Sequence, residues 1–191
     1  MGEPEVRIVD AAVRCVARWG LTKTTLEDVA REAGCSRATL YRTFPGGKEA
    51  LFGAVAAVEL SRLEAAVAAA VDAAGGDLEG ALVAAVTAVA GHVEAHAAFQ
   101  FLLAHEPGLV LPHLAFHRLD ALLARVRAFG GPLLERHLGA DDAAATAEWV
   151  ARIVISYTCS PAAGVQLTDA AAVRRLVRAF VLPGLSVPTP V

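Results

Sequence analysis

Residues 24–44 read TTLEDVAREAGCSRATLYRTF, and short polar signals divide this stretch into two helical segments. Thr25 and Asp28 have the spacing of a capping box, in which a hydroxyl and an acid three residues later satisfy helix-end N–H groups. Gly34 permits the positive φ of a tight turn, and Ser36 can cap the helix that follows it. A helix, a turn of three to four residues and a second helix form the helix-turn-helix arrangement.

Apolar positions in the same stretch predict how the two helices pack. The second helix runs from Arg37 to Phe44 and turns Leu40 and Phe44 inward. Ala30 is small where the second helix crosses over the first, and Val29 and Leu40 hold the pair together. The buried face of the first helix consists of Leu26, Val29, Ala30 and Ala33.

An amphipathic helix precedes this pair, from Pro4 to Trp19, and Gly20 supplies its stop. Its apolar face consists of Ile8, Ala11, Ala12, Cys15, Val16 and Trp19. The three helices form one compact unit, because the helix-breaking sequence PGG at 45–47 follows directly. We therefore predict a first domain over residues 1–47.

Long segments rich in Ala, Leu and Val follow, without the alternating pattern of strands. Gly and Pro divide them into predicted helices at 48–73, 77–96, 97–105, 113–138, 142–159 and 169–182. These helices make a second domain over residues 48–182, and a Pro-rich tail occupies residues 183–191. The predicted fold class is all-α, with an N-terminal three-helix domain and a C-terminal helical bundle.

The composition of the chain indicates a folded protein and argues against a membrane span. The chain has 191 residues, of which 55% are hydrophobic and 19% charged, a balance that excludes a disordered chain. The cleanest uncharged helical run, Gly80–Val93, is shorter than the roughly 20 apolar residues that span a bilayer. The acidic N-terminus is unlike a signal peptide, and three widely spaced cysteines suit a reducing compartment. We expect a cytoplasmic protein without a membrane span.

The charge of the chain is distributed unevenly. The net charge is −3, but residues 1–50 carry eight Lys or Arg against seven Asp or Glu, whereas the remainder carries nine against thirteen. Both lysines of the protein, Lys23 and Lys48, lie in the first part. This asymmetry is mild and supports no function without the motifs beside it.

Three segments in fixed order resemble a known family. They read Ile8-x-x-Ala-Ala, then Gly20-x-x-x-Thr-Thr-Leu-x-Asp-Val-Ala-x-x-Ala-Gly-Cys-Ser-x-x-Thr-Leu-Tyr-x-x-Phe44, then Lys48-Glu-Ala-Leu51. Together they resemble the DNA-binding domain of the TetR (tetracycline-repressor) family of transcriptional regulators. One departure is the linker before Lys48, which has three residues where the commoner family pattern has two.

The resemblance implies a role in binding double-stranded DNA for each matching residue. The helix that begins at Arg37 enters the major groove, where Arg37 can bond guanine and the methyl groups of Ala38 or Thr39 can touch thymine. Tyr41 and Lys48 contact the phosphate backbone, as does the start of the helix that Thr25 caps. The predicted DNA-binding residues are Thr24, Thr25, Ser36, Arg37, Ala38, Thr39, Tyr41, Arg42 and Lys48.

The resemblance also implies a homodimer that a small molecule regulates. The helices at 142–159 and 169–182 would pair with those of a second subunit, and the dimer would act as a ligand-released repressor on a palindromic operator. An effector cavity among residues 77–138 would be mostly apolar, which suits a small hydrophobic or aromatic molecule rather than a cofactor. Its candidate lining residues are His92, His96, Phe99, Gln100, His105, His113, Phe116 and His117.

Other functions stay open as alternatives. His92 and His96 are four residues apart, as are His113 and His117, a spacing that can hold a metal with Glu94 or Glu106 as a further ligand. Ordinary pocket or surface histidines explain the same spacing more simply, so no metal site is predicted. A helical carrier with a vestigial helix-turn-helix would also fit. No enzyme is expected, because G-x-S-x-G, H-E-x-x-H and Gly-rich phosphate motifs are missing from the sequence.

Overall fold

The computed structural model of the protein describes residues 2–115, 119–162 and 164–185. Within these ranges the secondary structure is helical and no strand occurs, so the predicted all-α class is confirmed. The α-helices are α1 (Glu3–Lys23), α2 (Leu26–Glu32), α3 (Arg37–Thr43), α4 (Gly47–Ala74), α5 (Leu78–Ala95), α6 (Ala97–His105), α7 (Pro107–Ala115), α8 (Leu119–Leu134), α9 (Ala140–Cys159) and α10 (Ala170–Leu176). A π-helical turn (Val177–Val181) and a 3-10 turn (Leu182–Gly184) follow α10.

The described residues form two compact units. The first contains the residues up to Arg62 together with His96–Val110, and the second contains Leu63–Ala95 and the residues from Leu111 onward. The predicted end of the first domain at residue 47 coincides with the start of α4, and the first unit extends beyond it. Helix α6 therefore belongs to the same unit as the three N-terminal helices.

The core of the first unit contains the apolar face predicted for α1. Its buried residues are Ile8, Val9, Ala11, Ala12, Cys15, Val29, Ala30, Ala33, Leu40, Phe44 and Leu51. Trp19 is the exception to the predicted face, because its side chain is 42% exposed. The buried positions continue instead through Gly20 and Thr24, where the backbone of α1 leaves the helical conformation.

The predicted helix-turn-helix is confirmed together with its local signals. The Thr25 side chain accepts a hydrogen bond from the Asp28 N–H at 3.2 Å, and the Asp28 carboxylate accepts one from the Thr25 N–H at 3.2 Å. Gly34 has a φ of 64°, as the turn requires. The Ser36 hydroxyl accepts a hydrogen bond from the Thr39 N–H at 3.1 Å and so caps α3.

The core of the second unit joins α5, α8, α9 and α10. Its fully buried side chains include Val71 at the end of α4, Leu82 on α5, Ala143 on α9 and Val173 on α10. Around these residues the helices present apolar stripes to one another, as the sequence predicts for a helical bundle.

The predicted helix 113–138 differs from the structure at its two ends. Helix α7 already begins at Pro107, and α8 ends at Leu134 after continuing through the Gly-Gly-Pro sequence at 130–132. The two glycines lie where α8 approaches α9. A Cβ added at Gly130 would lie 2.9 Å from the Cβ of Ala147, and one at Gly131 would lie 3.4 Å from the Cα of Ala144. The glycines therefore allow two helices to pack closely.

The last predicted helix, 169–182, is shorter than expected as an α-helix. Helix α10 ends at Leu176, and the wider π turn that follows keeps Val177 and Val181 buried. The same turn leaves Phe180 68% exposed. A π turn changes the direction in which successive side chains point, so α-helical spacing no longer predicts which residues are buried there.

Helix α5 is longer than the uncharged run on which the expectation about membrane spans was based. The uncharged run lies within an 18-residue helix, Leu78–Ala95, which by length and composition could cross a membrane. Core helices of soluble proteins can have the same length and apolar composition. Five residues of α5, namely Leu78, Ala81, Leu82, Val83 and Val86, are buried in the core of the second unit.

Candidate nucleic-acid interface

An open pocket with a volume of about 380 Å³ lies where the N-terminal end of α2 meets α3 and the start of α4. We call it the α2–α3 cradle, and it is lined by Thr22, Thr24, Thr25, Leu26, Glu27, Arg37, Tyr41 and Lys48. The structure thus brings together five of the residues that the sequence analysis assigns to DNA binding: Thr24, Thr25, Arg37, Tyr41 and Lys48.

Helix α3 presents its polar residues on one side. Arg37, Ala38, Tyr41 and Arg42 are exposed, whereas Leu40 on the opposite face is completely buried. Positions four apart lie above one another on a helix, so these side chains form one continuous exposed face. Ser36 is exposed at the cap, and Thr39 is half-buried with its hydroxyl 2.9 Å from the Ser36 hydroxyl.

Arg37 forms an ion pair with Glu27 of α2, a partner that the sequence analysis missed. Both side chains are well exposed, at 61% and 58%. Ion pairs in this environment contribute about 0–1 kcal/mol, because water screens the charges and both side chains lose rotamer freedom. Arg37 is therefore held at the edge of the cradle by a partner that it can leave at small cost.

The two threonines at the start of α2 have different environments. Thr24 is completely buried, and its hydroxyl donates a hydrogen bond to the Gly20 carbonyl at 2.6 Å, so this side chain supports the local fold. Thr25 is exposed, and its hydroxyl donates to the Asp28 carboxylate at 2.5 Å. This bond is the main cause that lowers the pKa of Asp28, with smaller contributions from the Thr25 N–H and Arg31 and an opposing effect of burial.

Lys48 at the start of α4 binds the backbone of the first unit. Its Nζ donates to the Leu21 carbonyl at 2.8 Å and lies 3.4 Å from the Thr22 carbonyl. The three-residue linker before it ends on Gly47, which has a φ of 65°. With this three-residue linker, which is one residue longer than the commoner family spacing, Lys48 contacts protein carbonyls at the edge of the cradle.

Glu106, at the C-terminal end of α6, contacts the backbone of the same two residues. Its carboxylate accepts hydrogen bonds from the Leu21 N–H at 2.7 Å and the Thr22 N–H at 3.1 Å. Burial raises the pKa of Glu106, but the bonds from Thr22 and Leu21 and the charge of Lys48 outweigh it, so the pKa lies below its usual value. No local pattern signals this contact, because the partners are 85 residues apart.

The candidate effector-pocket residues are divided between the two units. His96, Phe99, Gln100 and His105 belong to the first unit, His92 and His113 belong to the second, and Phe116 and His117 lie outside the described residues.

Two of these histidines have partners within the first unit. His96 caps α6, because its Nδ1 accepts from the Phe99 N–H at 3.1 Å, and its Nε2 lies 2.9 Å from the Glu59 carboxylate. His105 is exposed and stacks on Phe101, with ring centroids 4.4 Å apart. In the described part of the chain, no three His, Cys, Asp or Glu residues are grouped so as to hold a metal ion.

Comparison with known sequences matches the first unit. Residues 8–55 match the family model described as bacterial regulatory proteins, tetR family. A 39-residue segment is 49% identical to the uncharacterized HTH-type transcriptional regulator Rv2250c of Mycobacterium tuberculosis, covering 20% of this chain and 21% of that protein. The same figures hold for Mb2274c of Mycobacterium bovis. The chain thus matches about a fifth of the length of these relatives.

Comparison with solved structures covers nearly the whole chain. The TetR family repressor AlkX from Dietzia sp. strain DQ12-45-1b, implicated in biodegradation of n-alkanes, superposes with a TM-score of 0.69 at 23% identity, covering 92% of this chain and 93% of that one. The fatty acid degradation regulator FadR from Bacillus halodurans superposes with a TM-score of 0.64 at 17% identity, covering 95% and 98%. At these identities the likeness shows a shared fold.

Proposed function

We propose that the chain is a regulator of the tetR family, whose model its residues 8–55 match, and that it acts as a homodimeric, ligand-released repressor. It acts in the cytoplasm on a palindromic operator. The observation that carries the proposal is the exposed polar face of α3 beside the α2–α3 cradle, which joins residues for reading bases to residues for binding phosphates.

DNA binding proceeds by insertion of α3 into the major groove, which is wide enough to admit a helix. Arg37 leaves Glu27 and donates to guanine O6 and N7. A bidentate contact of this kind discriminates by about 1–3 kcal/mol, which exceeds the roughly 0–1 kcal/mol contributed by an exposed ion pair. Ala38 and Thr39 offer methyl groups to thymine, whereas Tyr41, Arg42 and Lys48 face the phosphate backbone.

A second copy of the chain places two α3 helices in successive major grooves, about 34–36 Å apart. Two large aromatic side chains of the second unit support this assembly. Trp149 on α9 is 54% exposed and Phe180 after α10 is 68% exposed. Aromatic residues are enriched in protein interfaces, and both side chains lie in the segments whose helices we expect to pair between subunits.

The effector is a small hydrophobic molecule, either aliphatic or aromatic. The apolar composition of the second half supports this class, as do the names of AlkX and FadR, which refer to n-alkanes and to fatty acid degradation. The effector releases the operator only to the extent that it binds the DNA-free conformation more tightly than the DNA-bound one. His92 and His113 of the second unit remain candidates for contacting it.

Selection from a random duplex library at about 0.15 M salt tests the proposal, since this concentration screens weak charge contacts. Folded protein without copurified ligand should retain duplexes that share an inverted repeat, with half-sites one helical turn or a multiple of it apart. Retention of no preferred sequence would contradict the proposal and favour a helical carrier with a vestigial helix-turn-helix.

A further inference from the structure

Helix α1 is interrupted just before the cradle. Gly20 has a φ of 81° and a ψ of 168°, so the residues after it begin a new helical turn. The first N–H groups of such a turn lack carbonyl partners in the preceding chain and need acceptors from elsewhere.

Glu106 supplies these acceptors from the end of α6. One of its carboxylate oxygens accepts from the Leu21 N–H at 2.7 Å, and the other accepts from the Thr22 N–H at 3.1 Å. The approach requires glycine at position 20, because a Cβ there would lie 2.8 Å from Phe101 Cε1 and 2.9 Å from Glu106 Cδ. The contact is thus built into the packing of α1 against α6.

The carbonyl side of the same turn is held by Lys48. Its Nζ donates to the Leu21 carbonyl at 2.8 Å, so a carboxylate and an ammonium group hold opposite sides of one short backbone segment. This segment leads directly into Thr25, the cap of α2, and Thr22, Thr25 and Lys48 all line the cradle. The position of one wall of the cradle therefore depends on α6.

We propose that Glu106 is a positioning residue for DNA binding, which holds the Leu21–Thr22 turn and thereby the Thr25 cap and Lys48 at the edge of the cradle. The inference rests on the proposed function and deepens it, because it names a residue outside the helix-turn-helix on which operator affinity depends.

Substitution of Glu106 separates positioning from simple electrostatics. Glu106→Gln removes a negative charge close to Lys48, and charge alone would make DNA bind more tightly. Positioning requires the opposite, so we expect operator affinity to fall at least fivefold. Glu106→Asp keeps the charge but shortens the side chain, and it should lower the affinity to a similar extent.

Glu135→Gln is the matched control, because Glu135 is an exposed carboxylate just after α8 in the second unit. It should bind the selected duplex like the wild type. Amide hydrogen exchange in the DNA-free protein shows whether the fold persists. In Glu106→Gln the Leu21 and Thr22 amides should exchange at least tenfold faster, while those of Val29 and Leu40 are unchanged.

The possible failures are distinguishable. If the wild type retains no duplex, the proposed function is overturned and this inference falls with it. If the wild type binds its operator and both Glu106 variants bind it equally well or better, the inference alone is overturned. Unchanged exchange at Leu21 and Thr22 in Glu106→Gln would also overturn it, because the carboxylate would then not be holding the turn.

Discussion

Three exposed polar side chains of the cradle have partners within the protein. Arg37 pairs with Glu27, the Thr25 hydroxyl donates to Asp28, and Lys48 donates to the Leu21 carbonyl. Arg37 and Thr25 are exposed, so the proposed binding of DNA exchanges their existing contacts for new ones. Buried Thr24 is different, since its hydroxyl bonds to Gly20 inside the fold.

Arg37→Ala tests the assignment of base reading. We expect a loss of about 1–3 kcal/mol in operator binding and a relaxed preference at one base pair of each half-site, because a bidentate contact to guanine is removed. Binding titrations against the selected duplex and its single-base variants measure both effects. Arg175→Ala removes an equal charge from α10 and should leave the preference intact. A uniform loss on all sequences would identify Arg37 as a phosphate contact.

The Glu106 contact predicts a pH dependence of stability. Its pKa in the folded protein lies below the ordinary value of 4.5, so its contribution to stability is complete above pH 4.5 and is lost as the pH falls through the lower folded value. The difference in unfolding free energy between wild type and Glu106→Gln should therefore shrink below pH 4.5. Urea titrations across this range measure it. A difference that stays constant with pH would contradict the assigned hydrogen bonds.

At the level of elements, small residues let α8 and α9 approach each other closely. Gly130 and Gly131 of α8 face Ala144 and Ala147 of α9, and Gly131 is buried. The absence of side chains lets the two backbones approach, and the gain in packing offsets the poor helix propensity of glycine.

Gly130→Ala should therefore destabilise the second unit although alanine favours helices. The added Cβ would lie 2.9 Å from the Cβ of Ala147, and overpacking of this kind costs about 1–3 kcal/mol. Gly91→Ala is the matched control, since Gly91 lies within α5 and a Cβ there meets nothing within 4 Å. It should be neutral or stabilising. Equal thermal unfolding midpoints for both variants would show that α8 and α9 can accommodate the added methyl group without loss of stability.

At the level of the whole molecule, the described structure divides into one unit that contains the cradle and one that contains Trp149 and Phe180. The first unit includes α6 from the middle of the chain, so residues distant in sequence complete the part that we propose binds DNA. The second unit presents Trp149 and Phe180 outward, on the helices expected to join two subunits.

Trp149→Ala tests the proposed dimer. Buried aromatic residues at the centre of an interface cost about 2 kcal/mol or more when truncated, so the dimer dissociation constant should rise by more than about tenfold. Sedimentation equilibrium measures this change. Trp19→Ala is the control, because Trp19 is 42% exposed but belongs to the first unit. An unchanged dissociation constant for Trp149→Ala would exclude α9 as the main interface.

Short-range patterns predicted the helix-turn-helix correctly. The capping box at Thr25, the positive φ of Gly34 and the cap at Ser36 each depend on partners within four residues, and such bonds form wherever the local sequence allows them. The buried positions of α2 and α3 followed from helical spacing for the same reason. The all-α class followed from composition and from the lack of strand-like alternation.

Contacts between distant residues decided the rest. The sequence marked Gly20 as a helix stop, but it did not show that Glu106 would bind the first turn after Gly20 or that Gly130 and Gly131 would lie against α9. Nor did it reveal that Thr24 is buried or that α6 joins the first unit. A glycine looks the same in the sequence whether it ends a helix or lets another helix approach closely. Only the packing of the folded chain distinguishes the two roles.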